Sequence, residues 1–137
     1  MAKKQSTEDG DSFDEAYWAN KSLETLSAAK ELLSITAPVY GNPRLNFCKW
    51  SINIVLDGYN ELIVRERKGG NVLIEFRYGE KREELAQILE ANSIQYNDRY
   101  KHFIFAISVQ RIPNEAEMFA SIASLNCRWW LDSGDAD

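Results

Sequence analysis

A chain of 137 residues with 45% hydrophobic and 12% aromatic residues carries enough apolar side chain for a core. Its length suits one domain that buries about two-thirds of its unfolded surface. The net charge of −5 excludes a whole-molecule pull on nucleic acid and favours a basic partner. No apolar run nears the roughly 18 residues that read as a membrane span. Cys48 and Cys127 stand far apart without metal-ligand spacing, and the polar start differs from a signal peptide. A cytoplasmic protein with reduced thiols and no membrane association is expected.

Residues 1–11 (MAKKQSTEDGD) are charged and lack an apolar anchor, which predicts a disordered tail. Ser12-Phe13-Asp14-Glu15 fits the S-x-x-E capping box of a helix start. The helix that follows places Ala16, Ala19, Leu23, Leu26 and Leu33 at three- and four-residue steps, an apolar stripe. Pro38 disfavours helix in the residue before it, so the helix is expected to end near Thr36. Val39 to Asn46, with Gly41 and Pro43, reads as a loop.

Phe47 to Tyr78 reads as a three-stranded antiparallel meander. Cys48, Trp50, Ile52, Ile54 and Leu56 alternate with Lys49, Ser51, Asn53 and Val55, the period of a strand with one buried face. Leu62 and Val64 repeat the pattern on a second strand, and Val72, Ile74, Phe76 and Tyr78 on a third. A three-residue loop Gly58-Tyr59-Asn60 would set Leu56 opposite Leu62 and Ile54 opposite Val64. A three-residue loop at Lys68-Gly69-Gly70 would set Val64 opposite Ile74 and keep the faces consistent. The second face then carries the rows Asp57–Glu61–Arg77, Val55–Ile63–Glu75 and Asn53–Arg65–Leu73.

Glu80 to Asn92 is expected to be a helix facing inward with Leu85, Ile88 and Leu89. A short strand at Ile94 to Tyr96, a polar turn Asn97-Asp98-Arg99 and a strand marked by Phe103, Phe105, Ile107 and Val109 follow. Pro113 and Asn114 open a last helix, with Asn114 and Glu117 as its cap pattern and Met118, Ile122, Leu125 and Trp129 along one side. The order αβββα(β)βα defines a single α+β domain over residues 12–131, a four- or five-stranded sheet with helices packed on it. Residues 132–137 are expected to form a frayed acidic tail. Because Val55, Ile63 and Leu73 lie on the second face, the first helix or a second subunit is expected to cover part of it.

Little chemistry is set out along the chain. Cys48 reads as a buried thiol and the single histidine, His102, as a strand-end residue. Gly69 and Gly70 lack the helix-opening context of a phosphate loop. The acidic side chains Asp57, Glu61 and Glu75 meet on one face in the register above. Three carboxylates there would hold a hard cation and activate water. The competing expectation is ordinary cross-strand pairing, Glu61 with Arg77 and Glu75 with Arg65 or Arg77.

The element order, with Glu61-Leu62-Ile63-Val64 and then Val72-Leu73-Ile74-Glu75-Phe76-Arg77, resembles the core of the restriction-endonuclease-like nucleases over about residues 13–109. The resemblance implies a Mg²⁺- or Mn²⁺-dependent nuclease. Glu61 and Glu75 would be its acids, Arg77 would stand in the place of the motif's lysine, and Glu24 or Glu31 would be the helix acid. The chain departs from the pattern in having glutamate for the first aspartate and arginine for the lysine.

Arg65, Arg67, Lys68, Arg77, Lys81 and Arg82, with Tyr59 and Tyr78, form a basic and aromatic group suited to a nucleic-acid backbone, interrupted by Glu66, Glu80, Glu83 and Glu84. Trp129 and Trp130, about 100° apart on a helix, and Trp18 beside Tyr17 are candidate interface anchors. In architecture, size and acidity the chain also resembles the dimeric chaperones of type III secretion and acidic immunity proteins. The leading expectation is a non-enzymatic interaction protein without a cofactor, a homodimer that binds a protein partner through Trp18, Ile63, Leu73, Trp129 and Trp130. The alternatives are the nuclease, and nucleic-acid binding without cleavage through Arg65, Arg67 and Lys68.

Overall fold

The computed structural model describes residues 13–132, so the expected tail 1–11, the Ser12 capping position and the end of the acidic tail lie outside the described residues. The first helical stretch is two helices, α1 (Glu15–Lys21) and α2 (Leu23–Tyr40). Ser22 divides them: it is extended, and its hydroxyl accepts a hydrogen bond from Thr25 N–H. The start of α1 is capped by Asp14, whose carboxylate accepts from Tyr17 N–H at 2.9 Å. The break rotates one helix against the other and overturns the continuous stripe. Ala16, Ala19 and Leu23 are exposed, while Trp18, Leu26, Ala28, Ala29 and Leu32 are buried. Pro38 lies inside α2 and does not stop it. The helix closes at Gly41, with φ +99°, whose N–H donates to the Ala37 carbonyl.

The sheet has six strands, all antiparallel: β1 (Arg44–Phe47), β2 (Ile52–Leu56), β3 (Tyr59–Arg67), β4 (Asn71–Arg77), β5 (Asn97–Arg99) and β6 (His102–Ser108). Their spatial order is β1-β2-β3-β4-β6-β5. This is the expected α+β architecture with additional pairing at both edges. Residues 44–47, within the expected loop, pair with β2 as an edge strand, and Cys48 to Ser51 form the turn between them. Trp50 therefore leaves the apolar face and is 65% exposed. At the other edge β5 is formed by Asn97–Arg99 rather than residues 94–96, and the turn is Tyr100-Lys101.

The β3–β4 register is the expected one, Val64 opposite Ile74 across the Lys68-Gly69-Gly70 loop. The β2–β3 register is not. Asp57 and Gly58, both at positive φ, make a two-residue turn, the Asp-Gly pair that such hairpins favour. Ile54 then faces Leu62 and Val55 faces Asn60, so Glu61 is an extra residue in β3, a β-bulge. The row through Ile63 and Glu75 begins at Asn53, not Val55.

One face of the sheet, with Ile52, Ile54, Leu62, Val64, Val72, Ile74, Phe76, Phe103, Phe105 and Ile107, is buried in the core. Against it pack α2, α3 (Arg82–Ala91), which buries Leu85 and Leu89, and α4 (Ala116–Asn126), which buries Met118, Phe119 and Ile122. A 3-10 helix, Val109–Glu115, joins β6 to α4, so the expected Asn114 cap is not formed. After a kink at Arg128, with φ +56°, comes the short α5 (Trp129–Asp132). Among the described residues no helix is long and apolar enough to cross a membrane.

Candidate functional site

The bulge decides where the acidic residues go. In an unbroken strand Glu61 would share a face with Ile63 and Glu75. As the extra residue it is buried together with its neighbour Leu62, at 0% exposure. Its Oε2 accepts from the Arg128 backbone N–H at 3.2 Å, and Oε1 is buried without a hydrogen bond. Burial pushes its carboxyl up to about 8, against the lowering influence of the Arg128 N–H and guanidinium and the Trp130 indole. The Tyr40 hydroxyl at the end of α2 and the Cys127 thiol are both raised, first by burial and then by the field of Glu61.

Above Glu61 the C-terminal segment closes as a clasp. Arg128 Nε donates to Asp57 Oδ2 at 2.7 Å, and Trp129 Nε1 donates to the Asn60 carbonyl at 3.2 Å. Trp130 stacks on Tyr59 with ring centroids 4.3 Å apart, and the Arg77 guanidinium lies 4.8 Å from the Trp129 ring centroid. Asn126 Nδ2 donates to the Arg77 carbonyl at 2.6 Å. Asp57, Glu61 and Arg77 are thus parts of a chain-end closure, in which Glu61 is engaged by the Arg128 N–H and Arg77 stacks on Trp129.

Glu75 belongs to a different constellation, on the face of the sheet away from the core. Arg65 Nη1 donates to its Oε1 at 2.7 Å, and His102 Nδ1 lies 2.7 Å from its Oε2. His102 first, and then Arg65, hold its carboxyl below the usual carboxylate range despite partial burial. The acid is ionised, with each oxygen engaged. Around it lie Ile63, Leu73 and Ile104, half-buried, and Ala106, exposed. Ile63 is directly opposite Glu75, Arg65 opposite Leu73, and Ala106 opposite Leu73 on the far strand. The result is an apolar strip crossed by one neutralised ionic cluster, open at the surface.

Of the residues expected to act together, Glu61 and Glu75 are held by separate partners. Among the described residues no group of three or more His, Cys, Asp or Glu side chains is placed to hold a metal ion. Trp18 is not a surface anchor: it is fully buried, with Nε1 donating to the Cys48 carbonyl at 2.8 Å. Trp129 and Trp130 are half-buried within the clasp, while Ile63 and Leu73 are on the open face. The basic group is divided. Arg65 pairs with Glu75, Arg77 stacks on Trp129 and Arg82 pairs with Asp98 at 2.8 Å, whereas Arg67 and Lys68 are exposed at the hairpin end. Sequence reasoning missed Arg128, Tyr40 and Asn126 as partners of this region, and His102 as a partner of Glu75. Only the Asp57-Gly58 pair was a readable signal of the shift that regroups them.

Comparison of the chain with protein-family models, with curated proteins and with solved structures finds no match.

Proposed function

We propose that the chain is a non-enzymatic interaction protein of the cytoplasm that associates through the outer face of its sheet, with a second copy of itself as a homodimer and, in exchange for that copy, with a protein partner. The observation that carries this reading is the strip of Ile63, Leu73, Ile104 and Ala106, partly exposed around a neutralised Glu75. Apolar side chains at a surface gain by being covered, at about 25 cal/mol for each Å² removed from water. Glu75 is already paired with Arg65 and His102, so covering the strip leaves no uncompensated buried charge. The two acids of the nuclease reading have separate tasks, one beneath a clasp and one between Arg65 and His102, so the geometry favours binding over hydrolysis.

Sedimentation equilibrium tests the proposal. Wild type is expected to sediment as a dimer in the micromolar range. Ile63→Lys, which places a cation opposite Glu75 and leaves the core intact, is expected to weaken the dimer at least 10-fold. Monomeric behaviour of wild type at high micromolar concentration would remove the self-association.

A further inference from the structure

The outer edge of β6 is only half occupied. β5 pairs with His102 to Ile104 and then leaves, so among the described residues Phe105 to Ser108 have no strand on that side. The direction of their backbone groups follows from the ladder. Val109 N–H donates to the Gly70 carbonyl at 2.9 Å, in register with the pairs that place Ile107 opposite Val72 and Phe105 opposite Ile74. Antiparallel pairs alternate, so the odd-numbered residues of β6 bond to β4. The N–H and C=O groups of Ala106 and the N–H of Ser108 therefore point outward, while the Ser108 carbonyl begins the 3-10 helix that follows.

Beside this edge lies a groove of about 620 Å³, with Leu73, Ile104 and Ala106 on the sheet side and Ile94 to Asn97 as the opposite wall. Arg67 lines it as well, exposed and with no ion-pair partner among the described residues. Lys68 follows it in sequence, whereas the groove's one acid, Glu90, is taken up by the Tyr96 hydroxyl at 2.6 Å. Unpaired backbone groups, an apolar floor and an unpaired cation at the rim complement one kind of occupant. An extended chain satisfies the edge, its alternate side chains meet the floor, and an acid on it meets the cation.

We propose that the edge of β6 from Phe105 to Ser108 takes an extended peptide segment of a partner protein as an added strand, with an apolar side chain on Leu73 and Ala106 and a carboxylate on Arg67. This rests on the interaction reading above and gives the partner a chemistry. Leu73 and Ala106 also belong to the self-association strip, so bound peptide is expected to displace the second copy there; Ile63→Lys reads the dimer and the β6 edge reads the peptide, so either can fail alone.

The test is selection of a phage-displayed random heptapeptide library on the full chain, followed by titration of the enriched peptides. Enriched sequences are expected to share an apolar residue with Asp or Glu nearby. Ala106→Pro removes an outward N–H without breaking the β4 ladder and is expected to weaken binding at least 10-fold. Arg67→Glu is expected to do the same, and the Ala106 and Ser108 amides gain hydrogen-exchange protection when peptide is added. If Ala106→Pro does not fold, Arg67→Glu and the two amides carry the test. The proposal is overturned if no sequence is enriched, or if enriched peptides bind both variants as well as wild type. It is also overturned if the two amides gain protection with protein concentration alone, which would make a second copy the occupant.

Discussion

Glu61 ties the pH dependence of stability to a single backbone irregularity. A free glutamate ionises near 4.5, whereas this one is held neutral up to about 8. Between those values the unfolded chain releases a proton that the folded chain keeps. Stability therefore falls as pH rises through that window, by up to about 1.4 kcal/mol per pH unit, and levels off above it. Glu61→Gln keeps an acceptor for the Arg128 N–H and removes the titration. Thermal melts are expected to show the variant more stable than wild type at pH 8, with the gap closing toward pH 4.5. A gap that does not change with pH would contradict a buried, neutral carboxyl. Glu75 has the opposite sign: its folded pKa is lowered, so its contribution is present above the unfolded value and is lost as pH falls. Glu75→Ala leaves Arg65 and His102 without their acid, and urea titration at pH 7 is expected to show a loss of about 1–2 kcal/mol.

At the scale of elements, the β5–β6 hairpin carries strain that can be relieved. Its turn residues Tyr100 and Lys101 both have positive φ, and Tyr100 is 86% exposed. Only glycine and, less readily, Asn or Asp adopt that region without a penalty of about 1–2 kcal/mol per residue. The double substitution Tyr100→Asn with Lys101→Gly is thus expected to raise stability by about 1–2 kcal/mol, seen as a higher Tm. Conversely, Ser22→Ala removes the cap that starts α2 and is expected to cost about 1 kcal/mol in chemical denaturation. Alternation of apolar residues did identify the strands of the meander and the β3–β4 register, because one buried face imposes period two. Where the chain turned instead, alternation misled. Cys48 and Trp50 continue the apolar pattern of β2, yet they lie in the turn that returns β1 to it. The three-residue loop drawn at Gly58-Tyr59-Asn60 kept every apolar residue in step and so hid the bulge. A register argument based on side-chain pattern assumes no extra residue, and Glu61 is one. The interior Pro38 was hidden because a local preference for a helix end yields to the packing of α2 on the sheet, and the break at Ser22 because three- and four-residue apolar spacing runs on across its cap.

For the whole molecule, the fold class was legible from element order, while the grouping of the candidate site was not. Face assignment depends on the register of every strand between two residues, so one bulge was enough to separate Glu61 from Glu75. The same irregularity leaves the outer face with a simpler character: an apolar strip and one paired ionic cluster, without a converging set of acids. The −5 charge of the chain gives its surfaces an acidic background against which Arg67 and Lys68 stand out. The central claim is that Ile63, Leu73 and Ile104 form a surface of association. It is tested most directly by methyl NMR of the full chain over a concentration series. The methyl resonances of these three residues are expected to shift with concentration, while those of the more exposed Leu23 stay fixed. Shifts confined to other residues, or none up to high micromolar concentration, would contradict the claim.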